Sequence, residues 1–201
     1  MSKPFSYGTM WPVYARQWDA MEAIDDQWRE AFKTLGYEII QDKSRYQAVE
    51  CDTNVPWMMI AAIHSRESSR NWNTYLGNGE PLDQVTTMVP AGRGPFDTWE
   101  EGAIDALTYD GLTEITDWRL EKMLFHCEKY NGLGYYNKGL PSPYLWAGTT
   151  IQEPGKYVAD GKFDPTVWDT QPGCCGILYA INRLDPPSQY QRETVPEPWI
   201  S

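Results

Sequence analysis

Residues 57–69 read Trp57-Met58-Met59-Ile60-Ala61-Ala62-Ile63-His64-Ser65-Arg66-Glu67-Ser68-Ser69. The first seven are apolar, so a helix here has no face to give to water and belongs in the centre of the domain. Asn54 can cap it, and Pro56 suits its first turn. The run then becomes polar and brings one carboxylate, Glu67, to the C-terminal end of the helix. Two effects raise the pKa of an acid so placed. Burial disfavours the ionised form, and the negative end of the helix dipole does the same. An acid still protonated near neutral pH can give its proton to a leaving oxygen, which is what glycosidic cleavage requires. The competing reading is a solvated helix-end carboxylate paired with Arg66 or Arg70. His64, three residues earlier, shares the helical face of Glu67 and lies within reach of that site. It reads more ordinarily as a satisfied structural histidine, and His126 as structural or exposed.

Outward from this stretch the chain is mostly helical. Tyr14, Trp18, Met21, Ile24, Trp28, Phe32 and Leu35 recur at three- and four-residue steps, predicting one helix over residues 11–35 with Gly36 as its stop. A shorter helix covers Asp42 to Cys51, with Tyr46 and Val49 inward. Residues 71–96 are rich in Asn, Gly and Pro. Leu76-Gly77-Asn78-Gly79-Glu80 reads as a tight turn and Val85–Val89 as a short strand, so a small hairpin or a long ordered loop belongs here. Thr98-Trp99-Glu100-Glu101 fits a capping box opening a helix to about Thr108. Leu120, Met123, Leu124, Cys127 and Asn131 form one stripe within residues 114–131. Residues 130–172 are loop-rich, Gly173–Leu184 forms a last helix, and Pro186, Pro187, Pro196 and Pro198 make the tail extended. The expected fold is α+β, mainly α, in a single domain over residues 1–201. It has an N-terminal helical extension through residue 41 and a Pro-rich tail from 185.

The chain has 201 residues, room for one ordinary domain. Its 17 basic against 28 acidic side chains give a net charge of −11, which argues against gripping nucleic acid and against a polybasic membrane anchor. No apolar run is long enough to cross a membrane. Met1–Gly8 has no apolar h-region, so a secretory signal is not expected. Cys51, Cys127, Cys174 and Cys175 form no CxxC pair and read as reduced thiols, the last two as small buried fillers. Ten Trp and 13 Tyr exceed what a core needs, and the remainder suits a surface that stacks on sugar rings. Two histidines and no HExxH leave zinc hydrolysis weak. GxSxG, GxxxxGK[ST] and GxGxxG are absent, and no local signature supports a Cys–His peptidase.

His64-Ser65-Arg66-Glu67-Ser68-Ser69, followed by Asn78-Gly79-Glu80-Pro81-Leu82, Val89-Pro90-Ala91-Gly92-Arg93 and Thr98-Trp99-Glu100, resembles the lysozyme-like superfamily. The resemblance is closest to phage and prophage endolysins that cut peptidoglycan. Glu128-Lys129-Tyr130-Asn131-Gly132-Leu133-Gly134-Tyr135-Tyr136 is similar to the Tyr-Asn-Gly motif of lytic transglycosylases and goose-type lysozymes. Ser142–Thr149 and Gly155–Gly161 also look like segments of this group. The resemblance spans roughly residues 42–182.

It implies a helical fold with a small β-hairpin lobe and a polysaccharide cleft, with Glu67 as the catalytic acid and Tyr130-Asn131-Gly132 on the opposite wall. The implied reaction cleaves the β-1,4 bond between N-acetylmuramic acid and N-acetylglucosamine. A lytic transglycosylase, a chitinase or chitosanase, and a non-catalytic glycan-binding virion protein are the alternatives. The expected partner is the glycan strand, bound by a monomer, with no nucleic acid, no membrane insertion, and no metal or organic cofactor. The resemblance also implies accumulation in the host cytoplasm until a separate membrane lesion gives access to the wall.

Inverting cleavage wants a base about 6.5–9.5 Å from the acid. Glu80, on the turn of the expected hairpin lobe, is the first candidate, with Asp83, Glu100, Glu101 and Glu128 behind it. Glu101 is better explained by the helix cap. Thr86 or Thr87 can instead orient a water through a hydroxyl, and in several lytic transglycosylases the substrate's own hydroxyl attacks. Asn131 can donate to an N-acetyl group, and it also reads as a helix cap before Gly132. Asn78 and Tyr130 complete the expected contacts, with Tyr135 and Trp146 as aromatic surfaces for the sugar and Tyr136 and Tyr144 as others of the kind.

Overall fold

The computed structural model describes residues 4–159, 161–186 and 190–193. Pro187, Pro196 and Pro198 of the expected tail lie outside the described residues. Helices α1 (Tyr7–Ala20), α2 (Asp26–Gln41), α3 (Lys43–Thr53) and α4 (Trp57–Ser68) precede a long loop. Helices α5 (Trp99–Tyr109) and α6 (Leu120–Asn131) follow, with a 3-10 turn at Leu112–Glu114 between them. Short helices α7 (Gly134–Lys138) and α8 (Pro143–Trp146) lead to strands β1 (Lys156–Ala159) and β2 (Lys162–Asp164), and α9 (Cys174–Leu184) comes last. The fold is thus α+β and mainly helical, with one small antiparallel sheet among the described residues.

The apolar run of α4 lies where its composition requires. Met59 through Ile63 are fully buried, and the helix touches α3, α6 and α9. Each large side chain on it contributes about 1.5–3 kcal/mol by leaving water. Residues of the two N-terminal helices belong to the same core, where Tyr14, Trp18, Phe32 and Ile39 join α4 and α9. Helix α2 approaches α9 across two glycines. A Cβ on Gly36 would meet Leu184 at 2.9 Å, and one on Gly176 would collide with the Phe32 ring. Gly36 is therefore a contact point inside α2 and not the helix stop expected from the sequence.

The single helix expected over residues 11–35 is broken at 21–25. Met21 is extended, Ile24 N–H donates to the Gly148 carbonyl at 3.1 Å, and Thr150 N–H donates to the Glu22 carbonyl at 2.8 Å. Asp25 then caps α2 by accepting from Trp28 N–H at 2.9 Å. Asn54 does not cap α4. It ends α3 in a left-handed conformation (φ 60), and Pro56 opens α4. Thr98 caps α5 by accepting from Glu101 N–H at 3.2 Å, while the Glu101 carboxylate takes the N–H of Asp97 at 3.1 Å.

Of the two forms expected at 71–96, a small hairpin or a long ordered loop, the structure has the loop, with a single isolated bridge, Thr74 to Pro81. Its tip is closed by Tyr75 N–H to Glu80 O at 2.7 Å and Gly79 N–H to Tyr75 O at 2.8 Å. Val85–Val89 forms no strand, because the N–H groups of Thr87 and Met88 donate to the Glu80 carboxylate in place of a neighbouring strand. The two-stranded sheet lies later in the chain, pairing Lys156 with Asp164 and Tyr157 with Phe163.

Residues 190–193 bind across α1 and α6. Tyr190 packs edge-on against Trp18, and Leu120 N–H donates to the Gln191 carbonyl at 2.8 Å. Arg192 reaches Asp19 at 2.5 Å and the fully buried Glu121 at 3.1 Å, and Glu193 accepts from the Tyr7 hydroxyl at 2.6 Å. Among the described residues no helix is long and apolar enough to cross a membrane.

Candidate active site

Helix α4 ends one residue after Glu67. Ser69 and Arg70 follow in left-handed backbone (φ 50 and 61), donating their N–H groups to the carbonyls of Ser65 and His64 at 3.2 and 3.1 Å. Two successive non-glycine residues in this region are costly. Arg70 holds the reversal in place through Glu38 at 2.6 Å and Asp42 at 2.5 Å. The 76–80 turn packs on the same helix end, since a Cβ on Gly79 would lie 3.5 Å from the Glu67 carbonyl oxygen.

Glu67 lies on a cleft of about 330 Å³. Its carboxyl accepts a 2.8 Å hydrogen bond from the buried Tyr144 hydroxyl. Asn131, Gly132, Gly134, Tyr135, Tyr157, Lys156 and Asp169 line the cleft with Glu67. Burial pushes the Glu67 carboxyl above its usual range. The Tyr144 hydroxyl and the Arg66 guanidinium pull it down, and Asp110 adds to the rise. Burial dominates, so the acid keeps its proton to a higher pH than an exposed glutamate. Larger furrows, of about 520 Å³ between α2 and α9 and about 770 Å³ beside Trp72, do not include Glu67.

A charged network backs the cleft. Asp169 accepts from Arg66 at 2.9 Å, from Lys156 at 3.1 Å and from Gln171 N–H at 2.9 Å. Burial alone would raise the Asp169 carboxyl, but Arg66, Gln171 N–H and Lys156 outweigh it and hold the group below its usual range. Arg66 also donates to the Gln171 carbonyl at 2.7 Å and lies over the Tyr144 ring at 5.0 Å. The network fixes Tyr144 behind Glu67.

Several expected contacts lie elsewhere. His64 is fully buried between Trp72 and Trp99, with its ring nitrogens on the Tyr46 hydroxyl and the Asn71 carbonyl, so it is a core residue and not a ligand contact. Trp146, the last residue of α8, is buried in the core and offers no ring to a sugar. Tyr130 ties α6 to the loop through Leu76 O at 3.1 Å and packs against the core. Glu80 does not line the cleft. Its carboxylate accepts from the Thr87 hydroxyl at 2.7 Å, the N–H groups of Thr87 and Met88, and the Asn78 amide at 3.0 Å. These donors, the Thr87 hydroxyl foremost, hold it below the usual carboxylate range. Glu80, Asn78 and Thr87 therefore form a staple that shapes the loop.

Of the other carboxylates considered, Glu100 pairs with Arg45 at 2.6 Å and Glu128 is buried against the Tyr14 hydroxyl. Asn131 and Tyr135 do line the cleft with Glu67. The Tyr135 ring is mostly buried, its hydroxyl accepting from Tyr157 N–H at 3.1 Å, so Tyr157 is the more open aromatic there.

Sequence reasoning missed Tyr144 as the partner of Glu67, Asp169 with its two cations, and the influence of Asp110. Ser142-Pro143-Tyr144 carried the only local signal, an aromatic beside a proline. Among the described residues no group of three or more His, Cys, Asp or Glu is placed to hold a metal ion. No family model, curated protein or solved structure matches the chain.

Proposed function

We propose that this protein is a glycoside hydrolase of lysozyme-like architecture that cuts peptidoglycan at the β-1,4 bond between N-acetylmuramic acid and N-acetylglucosamine. One observation carries the reading: a desolvated carboxylic acid at the end of the central helix, opening on a cleft and held in place by a tyrosine hydroxyl. Glu67 gives its proton to the bridging oxygen as the bond from C1 of the muramyl sugar breaks and positive charge grows on that ring; a water then adds to C1 and returns a proton to the Glu67 carboxylate. Asn131 offers an amide to an N-acetyl group, and Tyr157 offers an aromatic face beside it. The protein acts on the wall after release from the cytoplasm of the host.

A second reading has its own support. Apart from Glu67, the one carboxylate among the described cleft residues is Asp169, which is already committed to Arg66 and Lys156. That favours attack on C1 by the muramyl 6-hydroxyl, whose proton passes to the Glu67 carboxylate left by the first step, giving a 1,6-anhydro product. Glu67→Gln keeps the shape of the site and an acceptor for Tyr144 but has no proton of the required acidity. It should lower the rate of wall cleavage by about 10²–10⁴-fold and leave the melting curve little changed. Cleavage at the parental rate overturns the assignment. Mass analysis of the released muropeptides separates the two routes, the anhydro product being lighter by one water.

A further inference from the structure

A second hollow adjoins the Glu67 cleft. Its volume is about 540 Å³ against about 330 Å³ for the cleft, and Gln171 lines both. Gln171 is fixed where they meet. Its side-chain amide donates to the Ser65 and Arg66 carbonyls at 2.9 and 2.8 Å, its N–H donates to Asp169 at 2.9 Å, and its carbonyl accepts from Arg66 at 2.7 Å. Helix α2 supplies one wall of this hollow. Gln27, Ala31, Thr34 and Glu38 follow one another at steps of four, three and four residues and line it as one helical stripe. That wall precedes residue 42, so it lies outside the segments that carry the lysozyme resemblance.

The lining decides what fits. The cleft has the rings of Tyr135, Tyr144 and Tyr157, whereas no described residue lining the second hollow is aromatic. An aromatic face suits a sugar ring, and this hollow has none to give. Its charges are engaged with one another or with neighbours: Arg70 with Glu38 at 2.6 Å and Asp42 at 2.5 Å, and Glu30 with Lys33 at 3.5 Å. It offers the Gln27 amide and the Thr34 and Ser69 hydroxyls beside the aliphatic surface of Ala31, Leu35 and Pro172. Amides and hydroxyls pair with backbone N–H and C=O groups, and an aliphatic surface accepts small side chains, so the match is a short peptide. In the wall the muramyl sugar carries such a peptide through an amide on its lactyl group. The geometry points to the α2 hollow as the binding site for that peptide, reached across Gln171 when the muramyl sugar lies beside Glu67. The inference rests on the peptidoglycan reading above and deepens it, because it separates peptide-bearing strands from bare glycan and from chitin.

The test is binding, measured apart from cleavage. Two tetrasaccharides of alternating N-acetylglucosamine and N-acetylmuramic acid are compared on Glu67→Gln protein. One carries its stem peptides, and the other has each lactyl carboxyl capped as the methyl amide, so both are uncharged at that group. The peptide-bearing form should bind about tenfold more tightly, the range of one or two hydrogen bonds. Ala31→Met with Thr34→Met fills the hollow with neutral, helix-compatible side chains. It should bring the ratio to about one and leave the Kd of the capped form unchanged. Thr34 is exposed, so Thr34→Met alone keeps the fold, and it should lower the ratio at least twofold. A ratio of one in the parent overturns the inference and needs no variant. So does a tenfold ratio that survives filling, or an equal weakening of both forms, which assigns the hollow to further sugars of the strand. The peptidoglycan reading fails separately, if Glu67→Gln cleaves walls at the parental rate.

Discussion

Lowering the pH from 7 to 4 charges an imidazole that the fold keeps neutral. His64 is fully buried. Burial lowers its pKa from 6.5 to about 4, opposed by the Asn71 carbonyl and helped by Arg70 and Arg45. Between those two values the unfolded chain binds the proton and the native chain does not. Stability therefore rises with pH across the window and is lost as the pH falls through it. The interval from 6.5 to about 4, at about 1.36 kcal/mol per pH unit, is worth about 3 kcal/mol. His64→Gln removes the titration and keeps both a donor and an acceptor for Tyr46 and Asn71. Urea unfolding of the parent and the variant at pH 7 and pH 4 yields a double difference in which His126 and the carboxylates cancel. The variant should lose about 3 kcal/mol less than the parent between the two conditions. Equal losses in the two chains would refute the claim that His64 is held neutral by burial.

Tyr144→Phe removes the hydrogen bond that lowers the Glu67 pKa, so the alkaline limb of the pH–activity profile should move to higher pH; a limb that stays in place counts against the pairing. Glu80→Ala should make residues 83–90 more sensitive to proteolysis while changing wall cleavage by no more than a few-fold, and a thousandfold loss would restore Glu80 as the catalytic base. Glu128 is buried with its pKa raised, chiefly by burial. The native state then holds that proton longer than the unfolded chain, and stability falls as pH rises through the folded pKa. Glu128→Gln should thus gain on the parent in Tm at pH 9 relative to pH 4, and an equal gap at both pH values refutes it.

How much of this was legible in the sequence depends on where the deciding interactions lie along the chain. The central helix, the Thr98 cap and the final helix were all readable, because each is set by residues within a few positions of one another. The break at 21–25 was not, because the apolar spacing of Trp18, Met21, Ile24 and Trp28 continues across it while the backbone there bonds to residues 148 and 150. Val85–Val89 has strand composition, but a side chain from residue 80 takes its donors. Glu67 was found from its place at the end of an apolar helix. Its hydrogen-bond partner Tyr144 and the cleft residues Lys156 and Asp169 come from loop-rich sequence that local patterns do not order. His64 and Trp146 suited a site by residue type alone, and type does not say which way a side chain faces.

The bond between Tyr7 and Glu193 joins residues 186 positions apart. At about 5–20 residues per second of synthesis, roughly 10–40 s separate the two ends of that contact on the ribosome. Through that interval α1 exists without the segment that seals it to α6, and Glu121 waits for its arginine. The seam between α1 and α6 is therefore fastened late, by a piece of chain that emerges only after both helices it holds.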